Sequence, residues 1–530
     1  MTIEFELVSL SSNAGDEVSL PRGAVTAVVG GNNVGKSQLL RDIRGLVHQN
    51  EYVPVTISAL TVVRPVADGD EEIIDWLDGH AARAEVRDGT QHYAPRLGGG
   101  EVGLRQFKQF FNYPAGEGVP WMGPDAEFFL HSTTAGALAG YATGSAPTGG
   151  TYAAGALAHL YRDGDLESEL NALTEGAFGV GILLDRANTD FRLRVGKTTV
   201  PVPPLNHPTR AYADALLRLP TLDSQGDGMR SFIGLCLLVM SVSPGVLLVD
   251  EPEAFLHPGQ ARALGRWLGE SAASRGIQIV IATHDRDLLL GLLEASAPVN
   301  VVRVAREGGL NRMSQLSPSQ VREVWNDPVL RYSNLLQGLF HNQVVICEGD
   351  ADCRFYGAAL EDLAESTERR ARADDVLFVP SGGKSRIASM ADSLRHIKVS
   401  ASVITDFDIL RTKADIKGIV EAVGAAWTDQ VASDFRIMAE SLQSNDLWSQ
   451  AKSRGIVAVP AGPPTTAVRN LLATLSSFGI HVVPMGEMEG FDRTESVHGA
   501  AWVSNALESG VHRTDQLHSF LEPILSKGTP

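Results

Sequence analysis

The sequence predicts an α/β protein built as two successive parallel-sheet halves. Three observations carry that expectation. A glycine-rich loop, Gly30-Gly31-Asn32-Asn33-Val34-Gly35-Lys36-Ser37, follows an apolar run and leads into a helical pattern. A second apolar run, 246–249, ends in Asp250 and Glu251. Beyond residue 341, apolar runs of strand length alternate with segments of helical period, and acidic residues stand where runs end. Such alternation builds strands that pair in parallel, with helices between them.

The chain of 530 residues is too long for one ordinary core, so two to four domains are expected. Its 44% hydrophobic and 20% charged residues are those of a soluble globular protein. Cys236, Cys347 and Cys353 form no disulfide framework and no C-x-x-C pair, which predicts a reducing compartment and no zinc site. The start, Met1-Thr2-Ile3-Glu4-Phe5-Glu6, is acidic and lacks the basic region of a signal peptide. The most apolar stretch, 232–249, is broken by Ser241, Ser243, Pro244 and Gly245, and reads as a buried helix and strand, not a membrane span. A cytoplasmic protein without membrane contact is expected. The net charge of −18 argues against nonspecific coating of nucleic acid, which runs on cations that neutralise phosphates. A nuclease whose clustered carboxylates are offset by metal ions stays open.

Taken in order, 25–29 reads as a buried strand, and Leu39, Leu40, Ile43, Leu46 and Val47 as one face of the helix after the glycine loop. Another strand follows near 53–63. Residues 66–215 read as a mainly helical or irregular insertion. Its Gly/Ala/Thr-rich run, 133–158, reads as a flexible surface segment or tightly packed small-residue helices; the sharper alternative is a dimerisation or partner-binding element. Leu235, Leu237, Leu238 and Met240 mark a buried helix, 246–249 and 277–283 buried strands, and Ala261, Leu264, Trp267 and Leu268 the helix between them. A helical connector spans 319–340. Strands at 344–347, 376–379 and 403–405 then alternate with helices at 355–360 and 387–397. The pattern continues at 456–459, 468–475 and 480–484.

The glycine loop fits G-x-x-x-x-G-K-[ST] in full. Its backbone amides, at Gly30, Asn32, Asn33 and Gly35, would cradle phosphate oxygens. Lys36 would offset the β- and γ-phosphates, and Ser37 would offer a hydroxyl to Mg²⁺. Asp250 would hold the Mg²⁺ shell, and Glu251 would polarise the attacking water. His284, in Thr283-His284-Asp285, would reach the γ-phosphate. Ser224-Gln225-Gly226-Asp227-Gly228 opens a helix and offers a second anion site, with an ordinary serine cap and glycine turn as the bland alternative.

In the second half, Glu348 ends a strand, Gly349 permits a tight turn, and Asp352 follows one helical turn later. Asp406 and Asp408 stand two apart after the next apolar run, on a segment read as extended, so their side chains would face the same way. Hard oxygen ligands suit Mg²⁺ or Mn²⁺. Such a set can orient water and stabilise charge on a scissile phosphate. Ser381-Gly382-Gly383-Lys384 suits a phosphate or backbone contact.

The order of phosphate loop, serine-glycine turn, acid pair and histidine resembles ABC-type ATPases of the branch that includes RecF and the SMC proteins. That resemblance implies that Ser224 and Gly226 complete the ATP site of a second protomer, in a dimer or higher homo-oligomer. The carboxylates of the second half resemble the Toprim fold. An ABC-type ATPase domain, 1–335, followed by a Toprim domain, 341–530, is similar to the OLD (overcoming lysogenization defect) family. The join at 332–340 also resembles that family. Gly486-Glu487-Met488-Glu489 resembles its late G-x-x-E, with Glu489 preferred over Glu487 as a metal ligand. The family implies ATP-regulated, Mg²⁺- or Mn²⁺-dependent DNA nicking or cleavage. Several members belong to anti-phage systems such as Gabija, PARIS and retron-linked modules, which implies a defence-system partner protein. The alternative is a nucleotide-gated sensor or scaffold whose Toprim domain cuts nothing and controls a partner effector. The Glu348, Asp406 and Asp408 set favours the nuclease. The acidic balance, and Lys527 as the only lysine after Glu489, favour the sensor.

Overall fold

The computed structural model describes residues 3–97, 99–111, 119–143, 155–186, 191–204, 207, 209–242, 245–326, 334–494 and 497–526. The chain divides into two compact units. One comprises Met1–Val29, Asn33–Arg306 and Leu310–Arg322; the other comprises Glu323–Pro530 with Gly30–Asn32 and Glu307–Gly309.

The first unit is built on a six-stranded sheet in the order Leu310–Leu316, Val299–Glu307, Val25–Val29, Gln278–Ala282, Val246–Asp250, Leu130–Thr134. From Val299–Glu307 to Leu130–Thr134 every pairing is parallel. Every residue of Val25–Val29 and Gln278–Ala282 is buried. Helices cover parallel sheets on both faces, so these strands read as unbroken apolar runs. Asp227–Ser241 is buried along nearly its whole length, from Ser231 to Ser241. An antiparallel sheet of Glu17–Ser19, Glu6–Ser12 and Ile57–Val63 joins this unit. Gln278, a polar residue in a buried strand, ties it down. Its side chain accepts from the Leu7 N–H and donates to the Leu7 and Leu20 carbonyls.

Within 66–215, Leu130–Thr134 belongs to the central sheet, where it pairs with Val246–Asp250. Leu-His-Ser-Thr-Thr carries one large apolar side chain, so this edge strand gives no apolar run in the sequence. The rest of the stretch holds helices such as Asp70–His80 and Gly164–Phe178 and two small antiparallel sheets. In the 133–158 run, Ala135–Tyr141 is helical and residues 144–154 lie outside the described ones.

The second unit holds a four-stranded sheet, all parallel, in the order Val376–Pro380, Gln343–Cys347, Ser400–Thr405, Ile480–Val482. The chain starts on an inner strand, adds a neighbour on one side, then crosses to the other. Strand order therefore reverses between Gln343–Cys347 and Ser400–Thr405, and the loops after those strands diverge to leave a crevice. The helix Asp350–Ser366 packs with Ala500–Ser509 and Asp515–Ser526 around Phe355, Tyr356, Trp502, Leu517 and Leu521. The segment 456–459, which continued the alternation in the sequence, holds a 3-10 turn, Gly455–Ala458. Of the connector at 319–340, Pro318–Asn326 is helical and Asn334–Phe340 is a 3-10 segment; Tyr332 and Ser333 lie outside the described residues. Among the described residues, no helix is long and apolar enough to cross a membrane.

Candidate functional site

Three adjacent parallel strands deliver the candidate nucleotide-binding residues to one edge of the first unit's sheet. Val28 pairs with Ala282, and Ala282 with Asp250. The glycine loop, Thr283-His284 and Asp250-Glu251 therefore leave the sheet side by side. The loop is held open by backbone conformation. Asn33 has φ 58 and Gly35 φ 102. A Cβ on Gly35 would meet Asn311 Nδ2 at 2.9 Å, and that nitrogen donates to the Val34 carbonyl at 2.6 Å. Lys36 and Ser37 open the helix Lys36–His48, whose N-terminal end, the positive end of its dipole, favours an anion. The Ser37 hydroxyl donates to Asp250 Oδ1 at 2.9 Å. Burial pushes the Asp250 carboxyl above the usual carboxylate range, and the Ser37 bond opposes the shift.

Glu251 is half exposed and sits in the left-handed region, φ 52, with its N–H bonded to the Ala282 carbonyl. Its Oε1 lies 3.4 Å from His284 Nδ1. Glu253, which the sequence reading left unassigned, is buried beneath them. Its Oε1 accepts from the Thr283 hydroxyl at 2.7 Å and the His284 N–H at 3.2 Å. Burial raises its pKa, and those donors oppose the shift. Ser224 and Gly226 are exposed; the Ser224 hydroxyl donates to the Thr221 carbonyl, and Gly226 caps the helix Asp227–Ser241.

The second unit gathers carboxylates at the C-terminal edge of its sheet. Cys347 pairs with Pro380, Ile346 with Val403, and Thr405 with Val482. The loops carrying Glu348, Lys384, Asp406 and Glu489 thus open at the same edge. Glu348 Oε1 accepts from the Thr405 hydroxyl at 2.6 Å and the Asp406 N–H at 3.1 Å, which joins the two central strand ends. Asp352 Oδ2 accepts from the Gly349 N–H at 2.8 Å. Asp406 ends its strand extended, but Asp408 lies in the 3-10 turn Phe407–Arg411. The expected extended D-x-D segment is therefore a turn, because Phe407, Ile409 and Leu410 are all buried and a straight strand would expose alternate ones.

Burial and the surrounding carboxylates Glu348, Asp352, Asp408 and Glu487 push the Asp406 pKa up to about 9. Burial, with Glu348 and Glu489, pushes Asp352 up to about 6. Glu487 is raised by burial and by Glu489, while Lys452 and His498 oppose the shift. Glu489 Oε1 accepts from the Gly499 N–H, and ligand atoms of Glu487, Glu489 and His498 lie within 4.8 Å of one another. Burial first and neighbouring carboxylates second disfavour the ionised acids here. Their oxygen donors fit a hard divalent ion, which would relieve their repulsion.

The Ser381-Gly382-Gly383-Lys384 loop also lies here. Its Ser381 N–H donates to the Cys347 carbonyl, and the Gly382 and Gly383 amides donate to the Glu348 carbonyl. Those amides are engaged within the fold. Lys384 Nζ stands 3.3 Å from Asp408 Oδ2. The sequence reading named Glu489 but not His498 or Lys452, and it put Glu487 second. Charged residues dispersed over a hundred positions carry no local signal.

Residues 202–291 match a family model described as an AAA domain, putative AbiEii toxin, Type IV TA system. Residues 339–408 match one described as the TOPRIM domain of overcoming lysogenization defect-like proteins. The chain is 29% identical over 123 residues to the phosphonates import ATP-binding protein PhnC 2 of Synechococcus, covering 23% of this chain and 44% of that one. It is 36% identical over 106 residues to the sulfate/thiosulfate import ATP-binding protein CysA 2 of Agrobacterium fabrum, covering 18% and 31%. It is 30% identical over 103 residues to the uncharacterized protein MJECL11 of Methanocaldococcus jannaschii, covering 19% and 90%. The chain thus spans less than half the length of PhnC 2 and CysA 2. Among solved structures, it is similar to the SMC head bound to the C-winged helix domain of ScpA, at 14% identity and TM-score 0.33, covering 60% of this chain and 98% of that one. The SMC head domain from Thermotoga maritima gives 15% identity and TM-score 0.29, covering 60% and all of that chain. An ATPase domain match followed by an OLD-like Toprim domain match is the domain arrangement of the OLD (overcoming lysogenization defect) family.

Proposed function

We propose that this protein is an ATP-regulated, divalent-metal-dependent DNA endonuclease that acts in cytoplasmic anti-phage defence, with a partner protein of the same system. The observation that carries the nuclease reading is the gathering of Glu348, Asp352, Asp406 and Asp408 at one sheet edge, where their oxygen donors suit a hard divalent cation. Glu348, Asp352, Asp406, Asp408 and Glu489 hold Mg²⁺ or Mn²⁺ there. A divalent ion so held supplies a Lewis acid and a water acidic enough to attack phosphorus. The protein's own part is to fix the ligands. Thr405 and the Asp406 N–H orient Glu348, and the Gly349 N–H orients Asp352. Water adds to the phosphorus, one P–O ester bond breaks, and the departing oxygen takes a proton.

In the ATPase domain, 1–335, the loop from Gly30 to Ser37 binds the phosphates of ATP, with Gly30, Asn32, Asn33, Gly35 and Lys36 as contacts. Ser37 and Asp250 hold Mg²⁺. Glu251 takes a proton from the attacking water, and His284 contacts the γ-phosphate. Ser224 and Gly226 are exposed, as residues must be if they complete the site of a second copy, and a dimer satisfies both sites at once. The Toprim domain is 341–530.

The test is cleavage of supercoiled plasmid by the full chain across Mg²⁺, Mn²⁺ and ATP concentrations, with Asp406→Ala beside it. Wild type is expected to nick or cut in metal and to change rate with ATP, and Asp406→Ala to lose about a hundredfold or more as its reactants are misplaced. Equal cutting by both proteins would remove the site from consideration. No cutting under any condition, with ATP turnover intact, would favour the sensor that controls a partner effector.

A further inference from the structure

We propose that Lys384 is the cation that meets the scissile strand's phosphate, held on Asp408 until metal and DNA arrive. This rests on the reading of the carboxylate cluster as a phosphodiesterase centre. The loop that carries Lys384 is wound onto the backbone of a metal-ligand candidate. The Ser381 N–H bonds to the Cys347 carbonyl at 2.8 Å, and the Gly382 and Gly383 amides both reach the Glu348 carbonyl at 3.1 Å. The Ser381 hydroxyl donates to the same carbonyl at 3.2 Å. Gly382 and Gly383 have φ 71 and 122, the left-handed side of the map that lets the chain coil this tightly. These amides are therefore engaged and cannot cradle a phosphate. What the loop offers an anion is the Lys384 ammonium, carried on a backbone anchored to that of Glu348.

The ion pair with Asp408 is not needed to hold that scaffold. Its side chains are 38% and 22% exposed, and pairs so open to water add little to a fold's stability. Its consequence is electrostatic. A phosphodiester that approaches the acidic side chains of Glu348 and Asp408 meets like charge, and an ammonium beside Asp408 is attraction at the same place. A divalent ion that takes the Asp408 oxygens competes with Lys384 for them. The freed ammonium, a compact charge on a flexible stem, then turns to the phosphate.

The experiment compares full-length wild type, Lys384→Met and Lys384→Arg in three measurements. Lys384→Met keeps the stem and removes the charge. Mn²⁺ binding, followed by electron paramagnetic resonance without DNA, is expected to tighten severalfold in Lys384→Met, because a competing cation is gone. Binding of a DNA duplex in Ca²⁺ is expected to show a salt slope shallower by about 1, as for any lost phosphate contact. Plasmid cleavage in Mg²⁺ should fall roughly tenfold or more in Lys384→Met and recover in part in Lys384→Arg. If wild type cuts and Lys384→Met matches its salt slope and rate, the assignment is overturned while the nuclease reading stands. If wild type neither binds nor cuts DNA in any metal, that reading falls and takes the assignment with it.

Discussion

Glu253 sits below the acidic strand end and holds the first two residues after the neighbouring strand. Its Oε1 takes the Thr283 hydroxyl and the His284 N–H, while its Oε2 is buried without a partner. Glu253→Ala would leave both donors unpaired in a buried place, at a cost of about 1–3 kcal/mol. It would also free His284 to leave the neighbourhood of Glu251. The expected result is a lower urea midpoint and slower ATP turnover with ATP binding retained. Unchanged turnover would mean that His284 needs no such support. The contrast with Glu251 explains what was legible at this scale. Glu251, Asp250 and the loop to Ser37 announce themselves because each belongs to a short motif at the end of an apolar run. Glu253 takes its role from a residue 30 positions away, and Lys384 takes its role from Asp408 in the same way. A contact made only by folding leaves no mark on the local sequence.

Whole elements were legible where burial forces a period and illegible where a turn overrides it. The strands Val25–Val29, Val246–Asp250 and Gln343–Cys347 stand out because both faces are covered. Leu130–Thr134 does not, since its alternation is buried, half-buried and exposed. The Phe407–Arg411 turn hides as an extended segment because Asp-Phe-Asp alternates as a strand would. A turn also fixes the last carboxylates. Gly486 has φ 108, and a Cβ there would meet Lys452 O at 2.5 Å and the Ser453 carbonyl carbon at 2.7 Å. Its carbonyl accepts from the Phe407 N–H at 2.7 Å, which ties the Glu487–Glu489 turn to the Asp406–Asp408 turn. Gly486→Ala should therefore push the Glu487–Glu489 turn off the 452–454 backbone and strain its bond to the Phe407 N–H. Alanine at a glycine of positive φ destabilises by more than about 1 kcal/mol. Mn²⁺ affinity should fall along with stability. Loss of stability with full Mn²⁺ affinity would show that Glu487 and Glu489 are not ligands.

On the scale of the molecule, the carboxylate cluster makes stability depend on pH and metal together. Asp406 moves from 3.8, its ordinary value, to about 9 on folding, and Asp352 to about 6, with burial the largest cause for each. A carboxyl whose folded pKa is raised binds its proton more tightly in the folded chain than in the unfolded one. Its contribution to stability is whole below pH 4, where both states are protonated. It is lost as pH climbs from 4, up to 6 for Asp352 and up to 9 for Asp406, because the unfolded chain releases these protons while the folded chain still holds them. A divalent ion binds the ionised carboxylates and so must displace these protons. Metal affinity should rise with pH over the same window, and the gain in stability from metal should rise with it. The measurement is the Tm of the full chain in Mg²⁺ and in chelator, at steps from pH 5 to pH 9. The difference between the two curves should widen toward pH 9, and Asp406→Asn, which removes the titrating group, should flatten most of that widening. A metal-induced shift that is constant across the range, or identical in Asp406→Asn, would mean that the ion binds elsewhere in the chain. The acids at the sheet edge would then be surface charge, and the sensor reading would be the stronger one.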